Sequence, residues 1–206
     1  MASRWQTVAR HTIRMIHRRG YHLDIPASLA MGSSLGAATL LMGHLPGPSL
    51  ARPAGTRIAL SFLIDSKPSV SDVNVWVARV VERGAHVAVL VTELMPQAPA
   101  ARELTRLVRE AHIHLQLIDA KSMLIDCTAH ADVPEYTVLT PDEAQQLAVR
   151  LKIDSLDRLW HMSPEDPQAV YWHYPVGTVL SFLERLDSSL EGTRCFRVVV
   201  DAHPPG

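Results

Sequence analysis

The sequence predicts two small mixed domains: an α/β domain over residues 1–128 and an α+β domain over residues 129–206. Three observations predict them. Compact apolar runs alternate with amphipathic stretches from Arg57 to Ile118. Two Pro-initiated helix starts, Thr140-Pro141 and Asp166-Pro167, punctuate a differently textured second part. Formal charge also divides, with 14 Lys+Arg against 9 Asp+Glu in residues 1–130 and 6 against 12 in residues 131–206. The chain has 206 residues, 47% of them hydrophobic, which is enough for one large or two small cores. A charged content of 20% excludes a disordered polyelectrolyte. The charge split suggests different partners for the two halves, a polyanion for the basic one and a protein for the acidic one. Two ordinary domains of uneven charge are the alternative.

Residues 1–23 carry Arg4, Arg10, Arg14, Arg18 and Arg19, with no acid before Asp24. Trp5, Val8, Thr12, Met15, Ile16 and His17 fall partly on one stripe, so an amphipathic helix is expected, closed by Gly20 at the C′ position. The same composition fits a mitochondrial presequence. Residues 25–51 are uncharged and include Gly32-x-x-x-Gly36, but Pro26, Pro46, Pro48, Gly32, Gly36 and Gly43 interrupt them. That is too broken for a membrane span of ~20 apolar residues. A helix-and-turn segment packed on a core is expected instead, with no membrane partner.

From Arg57 the pattern becomes regular. Arg57–Ile64, His86–Val91 and Ile113–Ile118 are apolar runs. Val73, Val77, Val80 and Val81 have helical spacing in 70–83, ahead of Gly84, and Ala101, Leu104, Leu107, Val108 and Ala111 share a face in 98–111. This β-α-β-α-β order, with near-continuous apolar strands, predicts a sheet covered on both faces and parallel neighbours. In the second part, Thr140 caps, Pro141 takes the first helical position and Glu143 closes a capping box, with Ala144, Leu147, Ala148 and Leu151 facing inward. A short segment at 155–162 follows. Asp166-Pro167 repeats the device, Gly177 is expected to end that element, and Val179–Glu184 and Cys195–Val200 read as strands around a connection containing Gly192.

Nothing in this order assembles catalytic chemistry. No Gly-rich phosphate loop follows a strand, and there is no GxxxxGK[ST], nucleophile elbow or HExxH. Cys127 and Cys195 lack CxxC spacing and read as two buried thiols in a reducing compartment. His112-Ile113-His114 reads as the entry to a strand, its two imidazoles on one face without a third ligand; His161 and His173 near Glu165 and Asp166 also lack metal spacing. The acid pairs Asp142-Glu143 and Glu165-Asp166 suit helix N-termini. No cofactor and no metal are expected.

The spaced residues His130-x-x-Val133-Pro134, Leu139-Thr140-x-x-Glu143, Asp166-Pro167, Tyr171, Gly177, Val179, Arg185, Gly192 and Arg197-Val198-Val199-Val200 resemble a known pattern. It is that of the C-terminal assembly domain of the fifth-largest shared subunit of eukaryotic RNA polymerases, a family with an archaeal counterpart. The resemblance covers about 70 residues through several independently spaced anchors, none specific alone. More loosely, Arg4 to Arg19-Gly20-Tyr21 resembles the opening helix of the family's jaw domain, and 57–118 resembles its body.

The resemblance implies a catalysis-free subunit of a nuclear polymerase. Its assembly domain docks on the largest subunit, with other polymerase subunits alongside, and its jaw lies weakly against downstream duplex DNA within the complex. It implies interface roles for His130, Val133, Pro134, Asp166, Pro167, Tyr171, Gly177, Arg185 and Arg197, and a DNA-proximal place for Ala98, Pro99, Ala100, Ala101 and Arg102. Three departures stand out. Tyr136 occupies a usual His, Ala98-Pro99-Ala100-Ala101 replaces a hydroxyl-bearing Thr-Pro-Ser-Ala, and Glu184 replaces an apolar residue before Arg185. They fit a divergent copy dedicated to one class, polymerase I in particular. The alternatives are a soluble mitochondrial α/β protein with a cleaved N-terminus and a nuclease-like enzyme built on 57–118.

Overall fold

A computed structural model describes residues 4–25, 39–47, 52–63, 67–130, 132–184 and 192–201. The chain divides into two compact units, Met1–Ile125 and Asp126–Gly206. The break precedes the boundary expected after residue 128, because the turn Cys127–Ala129 is tied to the second unit: the Gln168 side-chain amide donates to the Cys127 carbonyl at 3.4 Å.

In the first unit, helix α1 spans Arg4–Arg18 and buries Val8, Ala9, Thr12, Met15 and Ile16. Its end is a Schellman turn. Gly20 N–H donates to His17 O (2.9 Å) and Tyr21 N–H to Ile16 O (3.2 Å), with Gly20 at φ +92°, the left-handed region that glycine alone enters without penalty. The five strands that follow form one sheet, ordered β1 (His22–Leu23), β2 (Thr39–His44), β3 (Arg57–Leu63), β4 (Val87–Thr92) and β5 (His114–Asp119). β1–β2 and β2–β3 are antiparallel, β3–β4 and β4–β5 parallel. The helix-and-turn segment expected at 25–51 is corrected in its described part: 39–44 is a strand, because the open edge of β3 offers a full backbone ladder from Thr39↔Phe62 to His44↔Arg57. Gly43 makes the β1 contact possible, since a Cβ there would collide with the His22 carbonyl. Gly32 and Gly36 lie outside the described residues, of which no helix is long and apolar enough to cross a membrane.

Helices α2 (Val70–Glu82) and α3 (Ala98–Glu110) cover one face of the sheet. There Val73, Trp76, Val77, Val80, Leu104 and Val108 pack on Ala59, Ala88 and Leu90. Trp76 takes the place expected for Val81, which is 49% exposed, and its indole N–H is satisfied by Ser61 Oγ at 2.8 Å. Register puts Leu60, Val89 and Gln116 together on the opposite face. Arg19, just past the end of α1, donates to Gln116 there at 2.8 Å, so the apolar strands are covered from both sides. His112 is not a strand residue. It is the left-handed closure of α3 at φ +54°, with its N–H on Arg109 O and that of Ile113 on Val108 O.

The second unit is a four-stranded sheet ordered β6 (Thr137–Val138), β8 (Val179–Glu184), β9 (Thr193–Val199), β7 (Trp160–Met162). The β7–β9 pair is parallel and the others antiparallel. Helix α4 (Pro141–Leu151) starts with the expected capping box: Thr140 Oγ1 accepts from Glu143 N–H and Glu143 returns the bond to Thr140 N–H. Its Ala144 and Leu147 pack against Val179 and Val198 on one face. Leu151 is 44% exposed, because the chain leaves the helix at Lys152 in the left-handed region. Helix α5 (Pro167–Trp172) lies in the cluster of the other face, where Ala169 packs with Met162, Leu180 and Val199. It ends at His173, φ +56°, and not at Gly177. Gly177 instead turns the chain into β8: at φ +88° it donates to Val199 O at 2.7 Å.

Candidate functional site

The second unit holds a groove of about 1000 Å³. One wall is formed by Thr128, His130 and the chain from Asp132 to Thr137, and the other is the adjoining ends of β8 and β9, with Phe182, Glu184, Arg194 and Arg197. The walls meet where the Tyr136 and Phe182 rings touch, with centroids 5.2 Å apart. Two local devices shape the first wall. Asp126 accepts from Thr128 N–H at 3.1 Å, starting the Cys127–Ala129 turn. A second turn joins Val133 N–H to His130 O at 3.1 Å.

Of the residues proposed for a subunit interface, His130, Val133, Pro134 and Arg197 converge on this groove. His130 is exposed, with Nδ1 3.6 Å from an Asp132 carboxylate oxygen. Arg197 holds its guanidinium carbon 5.2 Å from the Phe182 ring centroid, a cation–π contact. Asp166 and Pro167 do not line the groove; they begin α5, where Asp166 accepts from Gln168 N–H at 2.8 Å. Tyr171 is 2% exposed and is a core residue of the unit. Gly177 serves the turn described above, and Arg185 lies outside the described residues.

The groove also contains residues that sequence spacing did not single out, Phe182 and Arg194. Cys195 donates its thiol to Glu184 at 3.4 Å. Burial and the Glu184 carboxylate push that thiol above its ordinary range. The Cys127 thiol is also pushed up, by burial and Asp126. Both sulfurs are free and only partly buried, so the expectation of two buried thiols is corrected. Neither is an activated nucleophile, which needs a lowered value. Burial raises the phenol of Tyr136 as well, against the opposing pull of Arg197, so it is a neutral group at physiological pH. No group of three His, Cys, Asp or Glu side chains able to hold a metal occurs among the described residues. His161 Nε2 is instead 2.7 Å from Asp157 O.

In the first unit, Ala98, Pro99, Ala100, Ala101 and Arg102 form the opening turn of α3. Gln97 is the N-cap and makes no side-chain capping bond. Ala100 is buried, whereas Ala98, Pro99 and Arg102 are exposed. Arg102 Nε–H bends back to Ala98 O at 3.2 Å. Arg106 is neutralised between Glu103 and Glu110, each at 2.7 Å.

Fold and groove thus describe the second unit as a self-contained α+β module with a polar-rimmed recess and no assembled catalytic group among its described residues. Residues 125–199 match the family model RNA polymerase Rpb5, C-terminal domain. The second unit therefore carries an RNA polymerase subunit domain, over just over a third of the 206-residue chain. No curated protein sequence matches the chain.

Proposed function

We propose that this chain is a non-catalytic structural subunit of a nuclear DNA-directed RNA polymerase. In this reading the second unit docks on the largest subunit through the groove between 128–137 and the ends of β8 and β9. The first unit is a jaw near downstream duplex DNA, touching phosphates weakly and without reading base sequence. The observation that carries the proposal is the family match over 125–199, which falls on the unit whose groove gathers His130, Val133, Pro134 and Arg197. Tyr136 and the hydroxyl-free Ala98–Ala101 turn support a divergent copy serving one polymerase class, polymerase I being the proposed one.

Affinity purification of the tagged chain from its native cells tests this reading. The expected result is stoichiometric recovery of the two largest subunits of one polymerase, whose identity names the class. Recovery of the chain free of polymerase subunits, or N-terminally shortened in mitochondria, would reject it.

A further inference from the structure

The groove of the second unit holds a cation without an anion. Arg197 Nε is shut off from solvent and has no hydrogen-bond partner among the described residues. Donors on charged groups that are removed from water are ordinarily paired, because leaving one unmet forfeits its hydration without replacement. Three carboxylates, Asp132, Glu135 and Glu184, line the same groove, yet none forms an ion pair with Arg197. Glu184 accepts the Cys195 thiol and Asp132 sits beside His130. The Phe182 ring holds the guanidinium from one side, so the group is positioned before any partner arrives.

We propose that the groove binds an extended peptide segment of the partner subunit through one carboxylate side chain placed on Arg197. This inference rests on the docking reading above and adds the chemistry of the recognised segment. A guanidinium fork matches a carboxylate in plane and spacing, and the contact strengthens where water is excluded. The charge balance of the groove decides what kind of anion it accepts. Arg194, Arg197, Asp132, Glu135 and Glu184 all line it, a net formal charge of −1 with His130 neutral. A polyanion such as nucleic acid brings many charges against those three acids, whereas a single carboxylate brings one, which basic residues flanking it in the same segment offset. The Tyr136–Phe182 pair supplies an apolar surface for a neighbouring side chain of the same segment.

The test uses the full chain, the largest polymerase subunit, and that subunit's sequence as overlapping synthetic peptides. The expected result is that one acid-bearing peptide binds. Changing one Asp or Glu of it to the amide weakens binding at least tenfold. Arg197→Gln weakens binding of the unaltered peptide and of the whole subunit by the same factor, but does not further weaken the amide peptide. Arg197→Lys, which keeps the charge but not the fork, falls between. The peptide substitutions leave this chain's fold untouched, so the inference stays testable even if Arg197→Gln fails to fold. Equal binding of the largest subunit by wild-type and folded Arg197→Gln chains overturns the inference while leaving docking intact. So does a binding peptide that tolerates amidation of all its acids, or a groove that prefers a duplex DNA oligonucleotide. A wild-type chain that does not bind the largest subunit removes the docking reading, and this inference with it.

Discussion

The Tyr136 ring rests on the Phe182 ring at 5.2 Å between centroids and an interplanar angle of 56°. This contact ties the 128–137 wall to β8, and it occurs at the residue that departs from the family's usual His. Tyr136→Ala is expected to lower the stability of the second unit by about 1–2 kcal/mol, a partly buried aromatic losing its packing. Tyr136→Phe should change it far less, because the neutral hydroxyl makes no bond that the packing requires. Urea unfolding of the two variants checks this; an unchanged midpoint for Tyr136→Ala would show that the wall is held by other contacts.

Helix α5 has six residues and little intrinsic stability. Its start depends on the 2.8 Å bond from Gln168 N–H to Asp166. Asp166→Ala should destabilise the second unit by ~1 kcal/mol, and Asp166→Asn by much less. Thermal unfolding distinguishes the two. If Asp166→Ala melts like wild type but binds the polymerase poorly, Asp166 is an interface residue and not a cap.

Much of the first unit was legible because its signals are long and periodic. The runs expected at 57–64, 86–91 and 113–118 emerge as the strands Arg57–Leu63, Val87–Thr92 and His114–Asp119, and the two helices between them emerge near the expected bounds. Strand β2 has no strand signal of its own, since Gly43 and the flanking prolines read as loop punctuation, and it forms by pairing with β3. Strand β7 is three residues long, below what any periodicity resolves, and it exists through parallel pairing with β9. His112, Lys152 and His173 close their helices in the left-handed region without being glycine, so the composition there carries no stop signal. The groove was half legible. Its anchors lie in spaced motifs, but the approach of Arg197 to Phe182 is a product of the β8–β9 register, which pairs Leu180 with Arg197 and Phe182 with Cys195 and so sets both side chains on one face.

Acid should loosen the second unit in a way traceable to the capping box. Bonds from the Thr140 backbone and hydroxyl hold the Glu143 carboxyl below its ordinary value of 4.5. A depressed carboxylate contributes stability above its unfolded value and loses it as pH falls through the lowered folded value. The contribution is therefore complete at neutral pH and declines below about pH 4.5. Glu143→Gln should flatten this part of the stability–pH curve of the second unit, measured by denaturant midpoints across that range. An identical pH slope for wild type and variant would remove Glu143 from acid sensitivity.

The opening turn of α3 bears on the DNA side of the proposal. Arg102 is tethered to Ala98 O by Nε, which leaves its charge at the exposed start of the helix, where the dipole also favours an anion. Arg106 is neutralised by Glu103 and Glu110 and is expected to contribute nothing. Arg102→Glu should shorten the lifetime of elongation complexes at low salt, with the difference shrinking as the screening length falls to ~8 Å near physiological ionic strength. Arg106→Gln should leave the lifetime unchanged. Equal lifetimes for wild type and Arg102→Glu at low salt would place this helix away from DNA.

The second unit alone is expected to carry attachment to the polymerase. It has its own two-faced core, with Leu147, Val179 and Val198 on one side and Met162, Leu180 and Val199 on the other. The most direct measurement is the equilibrium binding of a 126–206 fragment to the isolated largest subunit, beside the full chain. The expected result is a cooperatively melting fragment whose affinity matches that of the full chain within a few-fold. A fragment that is folded by circular dichroism and yet does not bind, while the full chain does, would contradict it.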